Sequence, residues 1–204
     1  MRSHLIHLTD IRRSILTKSL YKFVRYTMLF LCFIALIGCS TAGPMSDDHG
    51  KRTIGTSIDD MMVASRAKSN IKSVNEQLGK AHIDVTSFNG VVLLTGQVPS
   101  EAAKLEAEQA VDGLRNVRVI NNELEIAGPT SIPARMNDSY LSTKVKTALL
   151  ADNNTEGGRT KVVTENGVVY LMGLLTRDEA DAAVSKAREV YGVQKIVKVF
   201  EYIN

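Results

Sequence analysis

Few side chains in this 204-residue sequence are equipped for chemistry, and the most conspicuous is Cys39. It ends the apolar part of "CFIALIGCSTAGPMSDD" (32–48), after which the chain turns small, polar and Pro/Gly-marked. A thiolate at such a place can take up a diacylglyceryl group, and the freed amine can then be acylated. One acyl chain holds a protein marginally, whereas two or more anchor it stably. Elsewhere the reactive residue types are scattered. His49 and His82 stand alone, with no cysteine beside them, so no zinc-type cluster is spelled out. Asp47-Asp48 and Asp59-Asp60 are adjacent acid pairs without the alternating ligands of a calcium loop, and the second pair suits a helix N-terminus. Gly157-Gly158 has no following Lys-Ser/Thr and opens onto a strand, so it is not a phosphate-binding loop. No nucleophile, base and orienting group fall into one arrangement. The sequence therefore predicts no enzyme, no catalytic residue, no cofactor, no metal and no small-molecule substrate.

The residues before Cys39 explain its setting. Arg2, Arg12, Arg13, Lys18, Lys22 and Arg25 face a single acid, Asp10, and the run Met28–Ile37 carries no charge. That run is shorter than the about 20 residues of a membrane-spanning helix. A basic segment followed by a short apolar one is a secretory-signal pattern. Leu36-Ile37-Gly38-Cys39 resembles the bacterial lipobox, with Ile37 where a small residue is commoner. On that reading residues 1–38 are a signal peptide and Cys39 is the lipidated first residue of the mature chain. Ser40 follows, where an Asp would favour retention at the inner membrane; the expectation is the outer membrane, on its periplasmic face. Removing the signal takes away six of 25 basic residues and one of 22 acidic ones. The remaining 19 and 21 give a mature charge of −2, so the sequence pI of about 8.8 belongs to the signal and is no argument for nucleic acid. Residues 39–56 read as a lipidated flexible tether, with an r.m.s. reach of about 23 Å.

The remainder is two copies of one unit. "VTSFNGVVLLTG" (85–96) aligns with "VVTENGVVYLMG" (162–173), and "MVASRAKSNI" (62–71) with "YLSTKVKTAL" (140–149). In each copy an amphipathic helix comes first. Leu141, Val145, Ala148 and Leu149 form its apolar stripe in copy two, and Val63, Ala67, Ile71, Val74 and Leu78 in copy one. A hairpin follows about Asn89-Gly90 or Asn166-Gly167, a pair suited to a type I′ turn because both residues take positive φ. Ser100 is a candidate N-cap for the next helix of copy one, and Thr176 with Glu179 a capping box in copy two. Gly113 and Gly192 are expected to end these helices, and Gly96 and Gly173 to end hairpin strands. A last strand closes each unit. The expectation is an α+β fold: two tandem αββαβ domains, at 57–127 and 137–204, each a three-stranded sheet covered by two helices. A stiff linker at 128–136, "GPTSIPARM", joins them.

This αββαβ unit, with "ENGVVYLMGLLTRDEADAA" and a closing "GVQKIVKVF", resembles the BON domain. The tandem arrangement behind a lipobox resembles the two-BON-domain lipoproteins of the Gram-negative outer membrane. The resemblance implies a non-enzymatic protein that binds anionic phospholipid and supports outer-membrane integrity. The alternative is a periplasmic protein-interaction or chaperone-like module, with the outer-membrane assembly machinery as a partner.

Helix geometry suggests where lipid would touch. At 100° per residue, Leu150 points away from the apolar stripe of the first helix of copy two. Tyr140, Lys146 and Thr147 fall on the same outer side, with Lys144 at its edge. Tyr140, Lys144, Lys146, Thr147 and Leu150 are thus the candidate lipid-binding residues. The family's lipid-contacting surface maps to this helix and matches at Leu150, with a tryptophan in place of Tyr140. Copy one offers Met61, Met62, Lys68 and Lys72 but no aromatic on its first helix, and is expected to be mainly structural.

Overall fold

The computed structural model describes residues 52–204. The expected signal peptide, Cys39, Ser40 and most of the expected tether, with His49, lie outside the described residues. Copy one comprises helix α1 (Ile54–Val74), the short α2 (Glu76–Lys80), strands β1 (His82–Phe88) and β2 (Val91–Val98), helix α3 (Glu101–Gln109), and strands β3 (Val119–Asn122) and β4 (Glu125–Ile126). Copy two comprises α4 (Ile132–Ala151), β5 (Lys161–Glu165), β6 (Val168–Leu175), α5 (Arg177–Arg188) and β7 (Lys195–Tyr202).

In both copies the hairpin is antiparallel and the last strand returns parallel to the central one. β1 pairs with β2 and β5 with β6 antiparallel, while β3 and β4 run parallel to β2, and β7 parallel to β6. The crossover helix makes this parallel return possible. β3 and β4 are one strand interrupted at Glu123-Leu124, where Leu124 turns into the core. The turn chemistry is as its residues require: Asn89 and Asn166 lie at φ 53° and 50°, and Gly90 and Gly167 at 74° and 76°. Thr176 and Glu179 form both halves of a capping box, and Ser100 caps α3 through the Ala103 N–H.

Among the described residues, three apolar clusters hold the fold. Ile71, Leu78, Val92 and Leu94 centre the one between the helices and sheet of copy one. Leu149, Val169, Leu171 and Ala187 centre its counterpart in copy two. The third joins the copies: Phe88 and Leu93 of one sheet pack on Tyr170, Met172 and Val199 of the other. Each sheet is therefore covered on one face by its own helices and on the other by its twin. Helices, sheet, sheet and helices stack in four layers. Gln97 Nε2 donates to Glu165 Oε1 at 2.7 Å at one margin of this junction, and Asn89 Nδ2 to Glu201 Oε2 at 2.8 Å at another. Arg118 also pairs with Glu201 and holds its carboxyl below the usual range.

Several expected boundaries move. Thr53 caps α1, so the first helix begins at Ile54, ahead of the 57 expected for the first domain. Ser131 caps α4 and Pro133 sits in its first turn, where a missing N–H costs nothing. Residues 132–136 are thus helix, and the connection shrinks to 128–131. Gly113 and Gly192 lie three residues past the C-caps Ala110 and Glu189, in the following turns. Gly96 is inside β2, not at its end; at φ 120° a Cβ would lie 2.0 Å from the His82 carbonyl oxygen. A close approach of two strands, rather than a turn, requires that glycine. Gly173 is likewise inside β6, opposite Phe200.

Candidate membrane-facing site

The site is built on α4, whose 20 residues extend over about 30 Å. Leu141, Val145 and Leu149 are buried against the sheet and fix the helix's rotation. Asp138 fixes its position along the sheet. This buried carboxylate accepts the N–H groups of Asn166 and Gly167 at 2.8 and 2.9 Å. Asp60 does the same in copy one for Asn89 and Gly90, at 2.8 and 3.0 Å. Asp60 is therefore not a dipole-facing acid of a first turn: it lies in the second turn of α1 and buckles that helix to its hairpin. Burial pushes its carboxyl up, but the hydrogen bonds from Gly90, Ser87, Asn89 and Arg52 outweigh burial and hold it below the usual range.

With one side so fixed, the other side of α4 is apolar and bare. Ile132, Met136, Tyr140 and Leu150 are 69, 68, 64 and 59 % exposed. With the exposed Thr143 and Thr147 they follow one another at steps of three or four residues, a single stripe along the whole helix. Tyr140, Thr147 and Leu150 were expected on this side. Ile132 and Met136 were missed because "SIPARM" reads as linker. Tyr191 was missed as well. It is 91 % exposed in the turn after α5, and its carbonyl accepts from Lys144 Nζ at 3.1 Å. Lys144 lies 5.5 Å from the Tyr140 ring and 5.8 Å from the Tyr191 ring, so the cation sits between two exposed aromatics.

Lys146 departs from expectation. Its ammonium turns under the loop 152–160 and donates to the carbonyls of Gly157 and Thr160, at 2.6 Å each. Burial lowers its pKa. The loop can come so close because Gly157 lies against the last turn of α4, where a Cβ would be 2.5 Å from the Leu149 carbonyl oxygen. Lys146 is thus a buttress of that loop, its half-buried ammonium bonded to the loop carbonyls and not extended from the outer surface. Among the described residues no helix is long and apolar enough to cross a membrane; the stripe can lie on an apolar surface but not span one.

The residues of α1 corresponding to this stripe are exposed Ile54, Ile58, Met62 and Lys72, without an aromatic, and Lys68, the counterpart of Lys146, is ion-paired with Asp84 at 2.7 Å.

Comparison with known proteins places this architecture. The chain is 33% identical over 174 residues to the outer membrane lipoprotein DolP of Haemophilus influenzae, covering 85% of this chain and 89% of that one. It is 36% identical over 164 residues to a 21 kDa hemolysin of Actinobacillus pleuropneumoniae, covering 77% and 84%. To the osmotically-inducible protein Y of Escherichia coli it is 28% identical over 152 residues, covering 73% and 75%. The BON domain profile matches twice, at 59–128 and 137–204, the two units joined here through their sheets. The chain belongs to the BON domain family, as a tandem pair.

Proposed function

We propose that this chain is a lipid-anchored module of the outer membrane, facing the periplasm, that lays the outer face of α4 on anionic phospholipid and supports the integrity of that membrane. The carrying observation is the stripe Ile132–Met136–Tyr140–Leu150, exposed on a helix whose opposite side is locked to the sheet. The DolP relative's name as an outer membrane lipoprotein supports the location, and the lipobox at Cys39 supplies the anchor. Tyr140 and Tyr191 suit the interface, with rings at headgroup level and hydroxyls wet. Leu150 adds about 1.5–3 kcal/mol if its side chain leaves water. Lys144 adds about 1 kcal/mol near an anionic surface. With Lys146 withdrawn, apolar contact outweighs charge, and the preference for anionic lipid is modest. Such contacts orient a tethered protein without anchoring it. A second reading, a protein partner docking on the same stripe, is favoured by that scarcity of lysine.

Flotation with phosphatidylcholine vesicles, with and without phosphatidylglycerol, separates the readings. The chain carries Cys39→Ala so that no acyl group binds for it. Tyr140→Glu with Leu150→Glu lowers vesicle binding at least about tenfold, the effect of removing one well-buried apolar side chain. Both residues are exposed, so thermal stability is unchanged. Lys144→Ala lowers only the preference for phosphatidylglycerol. Undiminished binding of the double variant overturns the assignment, and a parent that binds no vesicle leaves the protein-partner reading.

A further inference from the structure

We propose that His82, Asp84 and Glu165 form a divalent transition-metal site, best suited to zinc, that clamps the two BON domains together. This inference is independent of the lipid-facing role of α4.

The three residues come from both domains. His82 and Asp84 stand two apart on β1 and so share one face of that strand, while Ile83 between them points into the copy-one core. Glu165 is the last residue of β5 in the other domain. Packing of one sheet on the other brings them together beside a cleft of about 390 Å³. His82 Nε2 lies 3.7 Å from Glu165 Oε1 and 3.9 Å from Asp84 Oδ2, and the ligand atoms all fall within 4.8 Å of one another. Ligands of a tetrahedral zinc, at about 2.1 Å from the ion, are about 3.4 Å apart. A contraction of a few tenths of an ångström at His82 would meet that, with the wider carboxylate pair closing further. Octahedral magnesium, with ligands about 3.0 Å apart, fits less well. One imidazole with two carboxylates also matches zinc chemistry, whereas magnesium and calcium sites take oxygen alone.

Both carboxylates are already held by donors, Asp84 through the oxygen turned away from His82 and Glu165 through Oε1, the oxygen nearest His82. Lys68 Nζ donates to the other oxygen of Asp84, Oδ1, at 2.7 Å. Gln97 Nε2 donates to Glu165, and Gln97 Oε1 in turn accepts from the N–H and hydroxyl of Thr130, at 3.1 Å each, so the amide cannot turn round. Such supporting bonds set the direction and basicity of metal ligands. Glu165 makes the strongest case for a cation. Its carboxylate is buried, and among the described residues its partners are a neutral amide and the His82 ring. A buried carboxylate whose hydrogen-bond donor is neutral is costly; the Arg135 guanidinium lines the same cleft, and a divalent ion bound by Glu165 itself would set opposing charge at closer range. The fourth position opens on the cleft and would hold water. Primary-sequence spacing hides the set, because Glu165 lies in the second copy.

Zinc titration of the full chain by calorimetry, together with thermal unfolding, tests the proposal. The measured quantity is the difference between parent and variants, so metal held by residues outside the cluster cancels. The parent binds one zinc equivalent more than His82→Gln or Glu165→Gln, or binds that equivalent at least about tenfold more tightly, the scale set by losing one ligand contact. Zinc raises the parent's unfolding temperature, and magnesium at the same concentration does not. His82→Gln and Glu165→Gln touch the junction and can weaken folding by themselves. Asp84→Asn, half-exposed and outside the core, supplies a variant that keeps the fold. If Asp84→Asn and either of the others retain the parent's zinc stoichiometry, affinity and zinc-induced stabilisation, the cluster is an ordinary ion-pair network and the proposal is overturned.

Discussion

Leu93→Ala destabilises the whole two-domain body by about 3 kcal/mol, within the 2–5 kcal/mol range for removing a buried leucine. Leu93 is fully buried, yet its partners are not in its own domain's helical core; it packs in the cluster formed with Tyr170, Met172 and Val199 of the other copy. A domain of about 70 residues buries too little surface to be robust alone. The sheet-to-sheet cluster therefore supplies stability that neither copy has by itself. The consequence is cooperative. Urea unfolding of the parent is one transition, and Leu93→Ala shifts that transition as a unit, lowering the melting temperature by about 10 °C for a body of this size. Leu105→Ala is the control: this leucine is exposed on α3, and its loss changes stability by less than about 0.5 kcal/mol. Hydrogen exchange reports both domains separately. Protection lost in copy one alone after Leu93→Ala would mean that the domains fold independently and that the shared cluster is a passive contact.

That junction was legible in part. "GVVLLTG" and "GVVYLMG" are continuous apolar runs, and a sheet with one wet face alternates instead. Val197 and Val199 beside Ile196 and Phe200 carry the same message in β7, whose two faces serve two different clusters. The hairpins and caps were legible because Asn-Gly, Ser100 and the Thr176–Glu179 pair act through bonds to their immediate neighbours. The start of α4 was obscured by a local rule applied too broadly. Pro129 and Pro133 suggest a linker, but a proline in the first turn behind a serine cap belongs equally to a helix.

The candidate site divides along the same line. Helical geometry suffices to set Tyr140 and Leu150 opposite Leu141, Val145 and Leu149, since one rotation governs them all. It cannot dispose of Lys146. A lysine stem is long enough to fold toward whatever acceptors the chain brings near, and here a later loop presents the Gly157 and Thr160 carbonyls. Tyr191 joins the site from another element, through a contact that no spacing within α4 encodes. Asp60 and Asp138 had a signal in the repeat itself. They occupy matching places in "SIDDMM" and "RMNDSY", upstream of matching Asn-Gly turns, and an acid retained in both copies is easier to explain by a backbone partner than by a helix dipole.

Asp60→Ala is expected to cost about 3–5 kcal/mol at pH 7, as much as any single core truncation in the chain. Two backbone N–H groups of the Asn89-Gly90 turn and the Ser87 hydroxyl lose their acceptor, and hydrogen bonds to a charged group contribute about 1.5–3 kcal/mol each. Some of that is recovered where water reaches the turn. Asp60→Asn keeps one acceptor oxygen and costs about half as much. Asp138→Ala, with the two turn N–H groups as its partners, repeats the effect in copy two and also frees α4 from its hairpin, so it loosens the apolar stripe that helix presents. The pH dependence gives the sharper test. The Asp60 carboxyl is held below its ordinary value in the folded chain, despite burial, by the donors around it. A group depressed in this way contributes fully above its unfolded pKa of about 3.9, and its contribution fades as pH falls through the lower folded value. The stability gap between the parent and Asp60→Ala is therefore constant from neutral pH to about pH 5 and narrows below about pH 4. Urea unfolding at a series of pH values measures it. A gap that stays the same down to about pH 2 would mean that the side chain acts by filling space and that its charge does not hold the hairpin to α1.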